Sequence, residues 1–112
     1  MPRPRTGLAL ALVTLALAAG CGSEPRRTGV LGRELDKICH AVDLAGAASE
    51  EDANRMAMVA MWLDQNIKSE EGLAFLRTFS RLGEDKAARY RMLDEAARAN
   101  GVTDCPLLAF WR

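Results

Sequence analysis

The chain has 112 residues, and its 15 basic and 15 acidic side chains are interleaved along it. This length allows one domain, and nucleic-acid binding is set aside because it needs a concentrated basic face. Ala, Leu and Arg are abundant whereas Val, Ile, Thr and Tyr are few, which favours helix over sheet.

An apolar run of 12 residues, 8–19, lies close to the start of the chain. Arg3 and Arg5 precede it, and Ala18, Ala19 and Gly20 end it. A positive start, a short apolar run and small residues are the layout of a secretory signal peptide. A transmembrane anchor is the first alternative, but it needs about 20 apolar residues. Ordinary cleavage without lipid attachment is the second.

The run closes on Leu17-Ala18-Ala19-Gly20-Cys21, which resembles the lipobox of bacterial lipoproteins. It departs from the commonest form because Ala18 stands where Leu is usual. The resemblance implies that residues 1–20 are a lipoprotein signal peptide that is removed. It further implies a diacylglyceryl group and an N-acyl chain such as palmitate on Cys21, and two or more chains anchor a protein firmly in a membrane.

Residues 21–29 form the predicted tether between this anchor and the folded domain. Beyond Cys21 they include two glycines before residue 30 and a proline but no side chain suited to a core, which is typical of a flexible linker. Gly22 is not the Asp associated with inner-membrane retention, so the resemblance favours the periplasmic face of the outer membrane. A Gram-positive host remains the alternative.

Residues 30–112 predict an all-α domain: a small four-helix bundle with a short C-terminal helical tail. The first helix is predicted over 30–45, with Gly46 as its stop. The second begins at an N-cap, Ser49, and continues to Lys68. It is apolar on two sides, which is typical of a central helix.

The third helix is predicted from its cap Ser69 to Leu82, where Gly83 ends it. The fourth is predicted from near Glu84 or Asp85 to Asn100-Gly101, with Val102 folding back in a Schellman-type end. An apolar face of the fourth helix is interrupted by Arg89. Short connections predict that consecutive helices are neighbours. Pro106 suits the first position of the helical tail.

Three cysteines in an exported protein leave one unpaired. On the lipobox interpretation Cys21 carries lipid, which leaves Cys39 and Cys105 as a pair. In an oxidising compartment they are expected to form a disulfide, worth about 4 kcal/mol for a loop of this size. The alternative is a redox-active pair, although the Cys-x-x-Cys spacing of most thiol-redox enzymes is absent.

No motif predicts catalysis, so the protein is not expected to be an enzyme and no cofactor is predicted. The acids cluster at helix starts, and the single His40 has no predictable partner. Met56, Met58 and Met61 suggest a copper site because thioethers bind Cu(I). Only Met58 and Met61 could share an ion, and core packing by methionine explains the group better.

Two apolar patches remain as a candidate partner surface: Met58 with Trp62, and Phe110 with Trp111. Either Trp111 covers Met58 and Trp62, or the four side chains bind a partner. The sequence thus predicts a lipid-anchored envelope protein that binds or scaffolds another envelope protein. A periplasmic copper or thiol-redox carrier is the alternative.

Overall fold

A computed structural model describes residues 29–112. The predicted signal peptide, the lipobox with Cys21, and the tether up to residue 28 lie outside the described residues. The described chain is all-α, as predicted, and contains no strand. Its helices are α1 (Val30–Cys39), α2 (Ala41–Leu44), α3 (Asp52–Asn66), α4 (Glu70–Ser80), α5 (Lys86–Ala99) and a C-terminal 3₁₀ helix (Pro106–Trp111). None of these helices has the length and apolar character needed to cross a membrane.

The centre of the domain is α1. Leu35, Ile38 and Cys39 are almost completely buried, and α1 contacts α4, α5 and the 3₁₀ helix. The prediction that the helix after Gly46 is central is wrong, because α3 buries only Val59 and packs mainly on the short α2. α3 is therefore a helix at the edge of the domain, and part of one of its two apolar faces is not covered.

The predicted first helix is interrupted at His40, which separates α1 from α2. The Asp36 carbonyl lies 2.9 Å from the His40 Nδ1 and also accepts the His40 backbone N–H at 3.2 Å. A ring that competes for a backbone acceptor disturbs the helical ladder. The unit ends at Gly46, whose φ of 71° needs a glycine, so the predicted stop is confirmed.

Most of the predicted helix ends are confirmed by their hydrogen bonds. The Ser69 hydroxyl accepts the Gly72 N–H at 3.0 Å, and the Asp85 carboxylate accepts the Ala88 N–H at 2.9 Å. The Val102 N–H donates to the Ala97 carbonyl at 2.8 Å, as in a Schellman end. Ser49 was wrongly predicted as a cap: Glu51 is the N-cap of α3, and Glu50 instead closes a turn with Ala47.

A buried carboxylate joins α1 to α4. Glu34 is 5% exposed and accepts hydrogen bonds from the Ser69 hydroxyl at 2.6 Å and the Ser69 N–H at 3.1 Å. Its other oxygen lies 3.1 Å from the Lys37 Nζ. Burial raises the pKa of Glu34, but the Ser69 hydrogen bonds and Lys37 outweigh it and hold the pKa below its ordinary value.

The predicted disulfide between Cys39 and Cys105 is present. It joins the last residue of α1 to the residue before the 3₁₀ helix, with the two Cα atoms 4.4 Å apart. Cys39 is completely buried. The bond thus holds the C-terminal tail against the central helix.

Candidate functional site: an apolar groove between α3 and α4

A groove of about 400 Å³ separates α3 from α4. Its α3 wall consists of side chains three or four positions apart, which share one helical face: Met56, Val59, Ala60 and Leu63. Leu73 and Leu76 are the main apolar side chains of the facing wall. The groove exists because α1 packs against α4 and α2 packs against α3. The apolar faces of α3 and α4 that line the groove are therefore only partly covered.

The groove keeps apolar surface in contact with solvent. Leu73 is 38% exposed, and Ala60 is also exposed. Met56, Leu63 and Leu76 are half-buried, and Val59 is buried at the base of the groove. A concave site lined mainly by apolar side chains is the usual form of a binding site. These observations make the groove the candidate functional site.

The tail contributes aromatic side chains to one end of the groove. The Trp111 ring meets the Phe79 ring edge-on, with centroids 5.3 Å apart, and Phe79 stacks on Phe75 at 5.8 Å. Since Trp111 belongs to the 3₁₀ helix that begins one residue after Cys105, the disulfide positions this end of the groove.

Arg89 of α5 lies among these aromatic rings. Its guanidinium carbon is 5.1 Å from the Phe79 centroid and 5.9 Å from the Trp111 centroid, and its Nε donates to the Gly83 carbonyl at 2.5 Å. Within residues 29–112, no carboxylate lies within 4 Å of its guanidinium nitrogens. A half-buried cation therefore faces the groove without an acidic partner from the described chain.

A second depression, of about 290 Å³, adjoins the groove at Arg89. Both share Met56, Arg89 and Trp111, so the concave surface continues past the aromatic end. Lys86 and Glu84 line the second depression. The concave surface thus extends beyond the first groove and becomes partly charged there.

The four side chains of the predicted partner surface are all half-buried. Phe110 and Trp111 contact each other with centroids 6.0 Å apart, and Trp111 lies at the groove. The Phe110 ring lies beneath the Arg55 guanidinium at 5.8 Å. Trp62 is partly buried and packs against the core. In the described chain the aromatic-ring contacts of Trp111 are with Phe79 and Phe110.

Sequence reasoning missed the groove itself. The helical spacing of Met56, Leu73 and Leu76 indicates apolar helix faces, but it does not indicate that these faces line a groove. One signal was available: Arg89 interrupts the apolar face of α5, and an unexplained cation within an apolar stripe indicates a special environment.

His40 forms a second polar cluster, next to the disulfide. Its Nδ1 faces the Asp36 carbonyl at 2.9 Å, and its Nε2 lies 3.3 Å from the Asp104 carboxylate. The Asp36 carbonyl raises the pKa of His40, partial burial lowers it, and Asp104 raises it further, so that the net shift is upward. Among residues 29–112, no group of three His, Cys, Asp or Glu side chains is arranged to hold a metal ion.

Comparison of the chain with protein-family models, with curated proteins and with solved structures gives no match. The groove and its side chains are therefore the basis on which a function can be assigned.

Proposed function

We propose that this is a lipid-anchored protein of the bacterial cell envelope whose helical domain binds an apolar segment of another envelope protein. The observation that carries the proposal is the groove between α3 and α4, with Leu73 exposed on its wall. The lipobox resemblance at residues 17–21 supports the anchor, with lipid on Cys21.

The shape of the groove suits a helix as the bound segment. Its walls are helices of 15 and 11 residues, which corresponds to lengths of about 22 and 16 Å. An amphipathic helix placed between two helices contributes apolar side chains at positions i, i+3 or i+4, and i+7. Such a stripe matches the spacing of Met56, Val59 and Leu63 on the α3 wall.

The proposed anchor restricts where the partner is found. The eight residues 22–29 between Cys21 and α1 span at most about 28 Å when fully extended. The domain therefore stays within roughly that distance of the membrane surface. Gly22 after the lipidated cysteine favours the periplasmic face of the outer membrane, so the proposed partner is a protein of that compartment.

Site-specific photocrosslinking in intact cells of the native host tests the proposal. A photoreactive phenylalanine analogue replaces Ala60, which is exposed on the groove wall, or Ala99, which is exposed on α5 and does not line the groove. We expect a discrete crosslinked protein at position 60 that is absent at position 99. Identical products at both positions would contradict binding in the groove.

The alternative function, a copper or thiol-redox carrier, gains no support from the described residues. Cys39 is buried in its disulfide, away from solvent. Met61 is 63% exposed, whereas Met56 lines the groove. The copper or redox carrier stays a prediction from the sequence.

A further inference from the structure

Charge is distributed unevenly along the groove, and this distribution bears on the partner's chemistry. Arg89 lies at the aromatic end, where Lys86 and Glu84 line the adjoining depression. Arg77 is exposed on the α4 wall, and Asp64 is exposed on the α3 wall beside Leu63. Met56 and Asp64 are eight residues apart, which is about 12 Å along α3, so Asp64 lies well away from Arg89.

Arg89 differs from Arg55, which is also a cation over an aromatic ring within residues 29–112. Arg55 stands over Phe110, but its guanidinium is paired with Asp52 at 2.9 Å. Arg89 has two rings and a carbonyl as partners, none of which carries a negative charge. The remaining guanidinium nitrogens can form a bidentate pair with a carboxylate from outside the described chain.

We infer that the segment bound in the groove is an amphipathic helix with an Asp or Glu side chain beside its apolar stripe, and that this carboxylate pairs with Arg89. The inference rests on the proposed function and specifies the chemistry of its partner. If only apolar side chains made contact, the bound helix could occupy the groove in more than one register. A carboxylate at the aromatic end fixes the register, and Asp64 disfavours a second acid at the opposite end.

The setting of Arg89 strengthens this pairing relative to one on an open surface. Phe79 and Trp111 flank the guanidinium and limit its contact with water, so an incoming carboxylate interacts in a medium of lower dielectric constant. The rings and the Gly83 carbonyl also hold the guanidinium in place before binding. An ion pair with one partner already ordered loses less side-chain entropy when it forms.

Model peptides test the inference on the full chain reconstituted in bilayer nanodiscs. The probes are 18-residue amphipathic helices with one leucine stripe and a single Glu, Gln or Lys beside one end of it. A scrambled peptide of the same composition and empty nanodiscs measure non-specific binding. We expect the Glu peptide to bind at least tenfold more tightly than the Lys peptide, and this preference to weaken between 50 mM and 500 mM NaCl.

Substitution of Arg89 separates charge recognition from folding. In Arg89→Gln we expect the Glu and Lys peptides to bind within twofold of each other, while Arg89→Lys keeps most of the preference. Arg81→Gln is the matched control, because Arg81 is exposed and does not line the groove. Thermal melting of each variant establishes that the compared proteins are folded.

Two outcomes would overturn these conclusions separately. If the amphipathic peptides bind more tightly than the scrambled peptide but show no charge preference, or keep it in Arg89→Gln, the assignment of Arg89 is wrong and the groove remains a docking site. If no amphipathic peptide binds better than the scrambled one, helix binding in the groove is wrong, and the Arg89 pairing is excluded with it.

Discussion

At the scale of single residues, His40 shows how one covalent bond creates a polar contact between distant segments. His40 follows Cys39, and Asp104 precedes Cys105, so the disulfide brings their side chains within 3.3 Å. No local pattern indicates this pair, because the two residues are 64 positions apart. The predicted disulfide did contain the information, since bonded cysteines also bring their neighbours together.

The raised pKa of His40 predicts that part of the folding stability depends on pH. A group whose pKa is higher in the folded protein stabilises the fold fully below its unfolded pKa of about 6.5, and loses that effect as the pH rises through the folded value. We expect the free energy of unfolding to fall by about 0.5 kcal/mol between pH 5.5 and 8.5, a size typical of exposed ion pairs. Urea denaturation at the two pH values measures it.

His40→Gln should remove this pH-dependent part, and comparison with the wild type isolates it. Asp104→Asn should reduce it only partly, because the Asp36 carbonyl still accepts a hydrogen bond from the Nδ1. Glu95→Gln, which changes an exposed acid on α5, is the control. A His40→Gln protein with the same pH dependence as the wild type would contradict the assignment.

At the scale of helices, the joint between α1 and α4 depends on a glycine. A Cβ atom at Gly72 would lie 2.6 Å from the Ile67 Cγ2 and 3.0 Å from the Glu34 Cγ and Oε2. Ile67 is completely buried and cannot move aside without disturbing the core. Gly72 therefore allows α4 to approach α1 closely, which places the α4 wall of the groove.

Gly72→Ala should destabilise the protein although alanine is the better helix former. Alanine in place of glycine contributes up to about 1 kcal/mol through helix propensity, but overpacking of a rigid core costs about 1–3 kcal/mol. The cost exceeds the gain over most of this range, so we expect chemical denaturation to show a net loss of up to about 2 kcal/mol. Thr78→Ala, at an exposed position of the same helix, should instead stabilise slightly. A stabilised Gly72→Ala protein would show that the joint is not tight.

The helices also show which features the sequence can predict. The ends at Ser69, Asp85 and Gly101 followed from local chemistry, because a cap needs only residues within one turn. Ser49 failed because the backbone first forms a turn with Ala47, and α3 then begins at Asp52. Several neighbouring residues there have side chains that can cap a helix, and the local sequence does not determine which of them is the N-cap.

The groove could not be predicted for a different reason. An apolar stripe has the same spacing whether it is covered by another helix or remains open. Leu73 and Val59 both line the groove, yet Leu73 is 38% exposed and Val59 is 2% exposed. The difference in their exposure arises because α1 packs against α4 and α2 packs against α3. These contacts are made between helices, so a local pattern does not contain them.

At the scale of the whole molecule, the disulfide connects stability with the proposed binding site. It joins the central helix to the tail that brings Trp111 against Phe79. Leu107 and Leu108 of the same tail are buried in the core. A chain of this size buries a limited fraction of its surface on folding. We therefore expect the cross-link to supply a large share of the stability and to keep the aromatic end of the groove assembled.

Replacing both cysteines of the bond, Cys39→Ala with Cys105→Ala, should therefore weaken folding and binding together. The two residues are 66 positions apart, and loss of a cross-link of that span costs about 4 kcal/mol in the chain-entropy model. For a domain of this size that corresponds to a fall in Tm of about 15–30 °C. Differential scanning calorimetry of the full chain measures it, and Cys21→Ala is the control because it leaves the bond intact.

Crosslinking from position 60, repeated at a temperature where the variant without the disulfide is still folded, tests whether the bond also supports binding. The tail is then held only by packing, so Trp111 samples positions away from Phe79, and the yield of crosslinked product should decrease relative to the protein with the intact bond. An unchanged yield, with the expected loss of Tm, would show that the bond stabilises the core but does not shape the groove. An unchanged Tm would contradict the stabilising role itself.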